Sequence, residues 1–89
     1  MKVQKDFALR EIAGDYVIIP TGKTAAGSDG LITVNEVGAD LWEMLQSDVS
    51  FEDLVRGILD IYDVDETTAR EDIQEFLDTL IRGGILNGV

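Results

Sequence analysis

The run LITVNEVGADLWEML, residues 31–45, limits what this chain can fold into more than any other part of it. Leu31, Ile32, Thr33 and Val34 read as a short strand. Asn35 follows where a helix N-cap would sit, its side-chain oxygen able to accept from the first free helical N–H groups. Glu36 then suits the positive end of a helix. Val37, Leu41, Trp42 and Leu45 fall on one face, which predicts a helix to about Gln46 that carries the single Trp into the core. For Trp42 one large ring anchoring this helix against the sheet is a more economical reading than a ligand platform.

Two more strands are expected upstream. Phe7, Leu9 and Ile12 mark the first, over 7–13; Tyr16 to Ile19 is the second, and Gly14-Asp15 between them reads as a hairpin turn with Gly supplying positive φ. Pro20 closes the second strand by withholding a ladder donor. Residues 21–30, with Gly22, Gly27 and Gly30 and no large apolar side chain, read as a connection. Downstream, Phe51, Leu54, Val55, Ile58, Leu59 and Tyr62 form a helical stripe behind a Ser50/Asp53 capping box. Asp65 then caps a third helix with Ala69, Ile73, Phe76, Leu77 and Leu80 inward, stopped by Gly83-Gly84 in a left-handed cap, after which Ile85 and Leu86 fold back. Strands first and helices after, without βαβ alternation, indicate an α+β domain: a three-stranded antiparallel sheet over 1–35, then three helices over 36–89, expected as one domain across all 89 residues.

Charge narrows the function. Eighteen acidic residues against seven basic ones give a formal −11, a sign that repels phosphate and anionic membranes. The second and third helices look like a helix-turn-helix, but the presumptive reading helix carries Glu66, Glu71, Asp72, Glu75 and Asp78 against Arg70 and Arg82, which argues against DNA. No nucleic-acid or membrane partner is expected, and a cytoplasmic location is the default. With no His and no Cys, the usual general bases, thiol nucleophiles and zinc ligands are missing, so neither catalysis, a metal nor a cofactor is expected. Gly22-Lys23-Thr24 imitates the end of a phosphate-binding loop, but Val17 stands where that pattern requires Gly. Asp63-Val64-Asp65 opens like a calcium loop, yet Thr68 and Gln74 occupy the positions of its Gly and bidentate Glu.

Taken in order, these residues resemble the PqqD family of precursor-peptide recognition elements. The resemblance rests on the Gly14-Asp15 turn and the strand after it, Asn35-Glu36, Gly38-Ala39 with Leu41-Trp42, Phe51 to Leu54, Tyr62-Asp63-Val64, Asp72-Ile73 with Phe76-Leu77 and Leu80, and Gly84-Ile85-Leu86. The length of the 21–30 connection departs from it. The resemblance implies a truncated winged helix-turn-helix that binds the leader segment of a ribosomally made precursor peptide, so that a partner enzyme, often a radical-SAM protein, modifies the core segment. It implies no catalysis by the domain itself.

On that basis the strand Leu31, Ile32, Thr33 and Val34 is expected to accept the leader as a fourth strand. Arg70, Asp72, Ile73, Gln74 and Leu77 are expected to wall the groove beside it, Ile73 and Leu77 being equally suited to plain core packing. The half from Ser50 onward, ten acids against three arginines, is expected to attract a basic patch on the enzyme. Two other readings stand beside this one: a small winged-helix structural or regulatory module that dimerises, through the exposed strand or by domain swapping of 21–30, and a DNA binder.

Overall fold

The computed structural model describes residues 1–21 and 32–86. Strands β1 (Phe7–Ile12), β2 (Asp15–Pro20) and β3 (Ile32–Val34) form an antiparallel sheet in the order β1-β2-β3, followed by helices α1 (Glu36–Met44), α2 (Phe51–Ile61) and α3 (Glu66–Arg82). The expected α+β arrangement is therefore the observed one. The connection at 22–31, with the Gly-Lys-Thr imitation and Leu31, lies outside the described residues.

The first hairpin turns one residue earlier than the sequence suggests. Ile12 pairs with Asp15, leaving Ala13 and Gly14 as a two-residue loop with φ of 54° and 87°. Positive φ at both positions is the type I′ geometry that matches strand twist, and here it places an Ala in the left-handed region, where its Cβ crowds the carbonyl.

Each helix starts on a side-chain cap. Asn35 accepts from the Gly38 N–H at 2.8 Å, and Ser50 and Asp53 exchange bonds of 3.1 and 3.0 Å in a capping box. Asp65 accepts from the Thr68 N–H at 3.1 Å and its hydroxyl at 2.7 Å. These bonds hold Asp65 below the usual carboxylate range, and those from Ser50 do the same for Asp53. At the other end of α3, Gly84 has φ 74°, the Ile85 N–H donates to Leu80 and the Gly84 N–H to Ile81. This is the paired-bond left-handed cap, and it turns Ile85 and Leu86 inward.

The core gathers Ile18 from the sheet, Leu41, Trp42 and Leu45 from α1 and its cap, Leu54, Val55 and Ile58 from α2, and Ala69, Ile73, Leu77 and Leu80 from α3. The segment before β1 joins it, which the sequence alone did not show. Val3 is buried and bridges Leu86, its N–H donates to Leu45, and the Gln4 N–H donates to Ile85. The residues on either side of the folded body are thereby stitched together.

Two helical glycines differ in what surrounds them. A Cβ on Gly57 would meet only the Met44 side chain, at 2.6 Å from Sδ, whereas one on Gly38 would lie 2.9 Å from the Val34 Cβ and 3.0 Å from the Phe76 ring. A Met tip rotates away; a strand Cβ does not. Gly57→Ala is expected to raise stability by about 0.5–1 kcal/mol through helix propensity, and Gly38→Ala to lower it despite the same gain, both read from urea midpoints. Ala13→Asn, which suits the left-handed turn, is expected to add about 0.5–1 kcal/mol; an unchanged thermal midpoint would contradict that geometry. Because the folded pKa of Asp65 is lowered, its cap contributes fully above the ordinary carboxylate pKa and is lost as pH falls through the folded value. Asn caps without ionising, so the stability gap between the native protein and Asp65→Asn should stay flat near neutrality and shrink below about pH 4.

Candidate functional site

Ladder geometry decides which backbone groups of β3 are free. In an antiparallel pair, residues alternate between those that point both N–H and C=O at the partner and those that point both away. The Thr21 N–H donates to Asp6 at 2.8 Å, continuing the β1–β2 register. By alternation Ile19, Val17 and Asp15 face β1, so Tyr16 and Ile18 face β3. Tyr16 pairs with Val34 and Ile18 with Ile32. Val34 and Ile32 therefore spend their main-chain groups inside the sheet, and Thr33, opposite Val17, turns its N–H and C=O outward. Among the described residues no strand pairs with that outer edge.

The free edge opens onto a cleft of about 300 Å³ lined by Thr33, Val34 and Asn35, by Val37, Gly38 and Leu41 of α1, and by Asp72, Glu75, Phe76 and Thr79 of α3. Val34, Val37, Leu41 and Phe76 supply apolar side chains to its lining, and Asp72 and Glu75 of α3 supply acidic ones. Helix α3 thus works with two faces: Ala69, Ile73, Leu77 and Leu80 are buried in the core, while Asp72, Glu75, Phe76 and Thr79, at the same helical spacing, border the cleft. Phe76 is half-buried and belongs to both, packing on the core edge and presenting its ring near Gly38. The missing side chain of Gly38 is what lets α1, β3 and Phe76 converge here.

The residues expected to form the site separate accordingly. Leu31 lies outside the described residues. Thr33, Val34 and Asp72 line the cleft; Ile32, half-buried, reaches toward the Gly83 end of α3 instead. Ile73 and Leu77, at 0% and 3% exposure, are core residues and do not border the cleft. Gln74 is exposed and donates to Asp78 at 3.0 Å. Arg70 points to α2: it donates to both Glu52 oxygens at 2.8 and 2.7 Å and to Glu66 at 2.8 Å, with its guanidinium 5.9 Å from the Phe51 ring centroid. Those bonds hold Glu52 below the usual carboxylate range and raise the guanidinium above its ordinary value, making Arg70 a clamp between α2 and α3. Val37, Gly38, Glu75, Phe76 and Thr79 were not anticipated as lining. Their signal was present as a second 3-1-3 spacing on α3, but a face that is mostly polar leaves no apolar stripe to read.

A second polar contact steadies α1. The Tyr62 hydroxyl donates to Asp40, and that bond, with burial, pushes the phenol above its ordinary pKa. Among the described residues no group of carboxylates could hold a metal ion, and no helix is long and apolar enough to cross a membrane.

Two solved structures share this fold. One, described as TbiB1 in complex with the TbiA(beta) leader peptide, superposes with a TM-score of 0.76 at 24% identity, covering 100% of this chain and 98% of that one. The other, lasso peptide synthetase B1 complexed with the leader peptide, gives 0.70 at 17% identity, covering 94% of this chain and 93% of that one. No curated protein sequence matches the chain. The model of the family described as coenzyme PQQ synthesis protein D (PqqD) matches residues 16–86, which takes in β2 from Tyr16 onward, β3, all three helices and every described residue of the cleft, and the chain belongs to that family.

Proposed function

We propose that this protein captures the leader segment of a ribosomally synthesised precursor peptide by strand addition on β3 and presents it to a separate modifying enzyme, of radical-SAM type, with no chemistry of its own. The observation that carries this reading is the outward N–H and C=O of Thr33 beside a cleft whose lining includes Val37, Leu41 and Phe76. β1 also has an outer edge, but the cleft adjoins β3. The two structures of like fold are both complexes with leader peptides, which supports the same use of the fold here. Operation in the cytoplasm, where ribosomal precursors are made, follows from the reading.

Backbone pairing alone is insufficient. Ordering each peptide residue costs roughly 1–2 kcal/mol, while each hydrogen bond returns a net of about 0.5–1.5. One or two apolar leader side chains over Val37, Leu41 and Phe76 contribute about 1.5–3 kcal/mol each when fully buried, enough to tip the balance. Pairing of two β3 edges is the competing use of the same groups, and it is opposed by the three-residue length of the strand and by the formal −11 on each copy.

Proline substitution separates the two sides of β3. Thr33→Pro deletes the outward donor at a site where an edge strand tolerates Pro, so calorimetric affinity for the leader peptide encoded beside this protein's gene should fall at least about tenfold with the far-UV helical signal intact. Val34→Pro instead removes a bond to Tyr16 and should lower the unfolding midpoint. Unchanged leader affinity in Thr33→Pro would move the docking edge elsewhere.

A further inference from the structure

Asp72 and Glu75 stand three residues apart on α3, about 4.5 Å along its axis, and both border the cleft. Elsewhere on the helix Glu66 is bound by Arg70 and Asp78 by Gln74, while Glu71, which does not line the cleft, has no side-chain partner among the described residues. Asp72 and Glu75 receive no side-chain hydrogen bond or ion pair from any described residue. Among the described residues no Lys or Arg lines the cleft. The nearest cation along α3 is Arg70, two residues before Asp72, but its guanidinium is turned to α2 and held by Glu52 and Glu66; Arg82, whose Nη2 lies 3.5 Å from the Thr79 hydroxyl, is about 10 Å of helix beyond Glu75. Like charges at this spacing repel, so the empty cleft holds an electrostatic cost that a positive group between the two carboxylates would remove. Among the described residues no third ligand stands beside them to complete a metal site, and an organic cation is the better match.

The cleft has a second requirement, set by its apolar side chains, Val34, Val37, Leu41 and Phe76. In an added strand, side chains two residues apart share a face and lie about 6.7 Å from one another. An apolar side chain can then sit on these while its partner reaches the two carboxylates. We infer that the cleft selects an extended peptide in which a Lys or Arg is separated by one residue from an apolar anchor, the cation lying between Asp72 and Glu75. This rests on strand addition at β3 and names the peptide chemistry that it takes.

The test is selection of a displayed library of randomised short peptides on the full chain, in parallel with Asp72→Asn/Glu75→Gln and with Thr33→Pro. Both acids are exposed, so their neutral replacements leave the fold in place. The native protein should enrich peptides with a cation one residue removed from an apolar residue. The double variant should keep the apolar position and lose the cation, and a selected Lys peptide should bind it about three- to tenfold more weakly, with a matching loss for that peptide's Lys→Gln version on the native protein. Added salt should weaken the Lys peptide and leave the Gln version unaffected. Enrichment without a cationic position, or equal cation enrichment by the double variant, overturns the charge selection and leaves strand addition standing. Enrichment undiminished in Thr33→Pro, or none by the native protein, overturns both.

Discussion

The approach of α1 to β3 at Gly38 is the contact on which the rest of the site depends. A methyl group there would stand 2.9 Å from the Val34 Cβ and 3.0 Å from Phe76, distances at which backbone or ring must yield. Because hydrogen is all that Gly38 carries, the start of α1 can lie against the strand, with the Asn35 cap fixing where the helix begins. That placement brings Val37 and Leu41 under the free edge and sets Phe76 opposite them. The helix propensity sacrificed by a Gly in the first turn is exchanged for the close approach that forms the cleft.

Helix α3 shows how a small domain can serve two purposes with one element. Its buried stripe closes the core, and Arg70 binds it to Glu52 on α2, so its position does not depend on anything in the cleft. The adjoining face is then free to carry charge that the core could not tolerate. Asp72 and Glu75 remain solvated at the rim, yet they stand beside apolar side chains on which, in the proposed role, a peptide side chain would gain by desolvation. Affinity and selectivity can thus come from different sides of the same cleft.

Edge strands usually endanger a protein because unpaired donors and acceptors invite other chains. Here the exposure is limited by geometry. Alternation leaves Thr33 as the residue of the described β3 with both main-chain groups outward, while its neighbours are committed to Tyr16 and Ile18. A foreign strand gains little there unless its side chains also fill the cleft, and an acidic copy of the same chain meets repulsion. In the proposed role, discrimination between a peptide and self-association would follow from the same strand length and charge.

Much of the architecture was legible in one dimension because it arises from local physics. The caps at Asn35, Ser50 and Asp65, the left-handed stop at Gly84 and the apolar stripes depend on residues within a few positions of one another. The hairpin was misplaced by one residue because an Ala at positive φ is a poor local choice that strand pairing enforces. The cleft is a matter of tertiary structure throughout. Ile73 and Leu77 could be called core or wall from spacing alone, and only the packing of α1 and α2 assigned them to the core; the same packing turned Glu75, Phe76 and Thr79 toward β3. Which amide of β3 faces outward was likewise undecided by the residues, since hydrogen-bond parity is set by the register with β2. Sequence by itself determined which segments become strands and helices, through short-range sterics and capping; the contacts among distant segments decided which faces and which backbone groups were left for a partner.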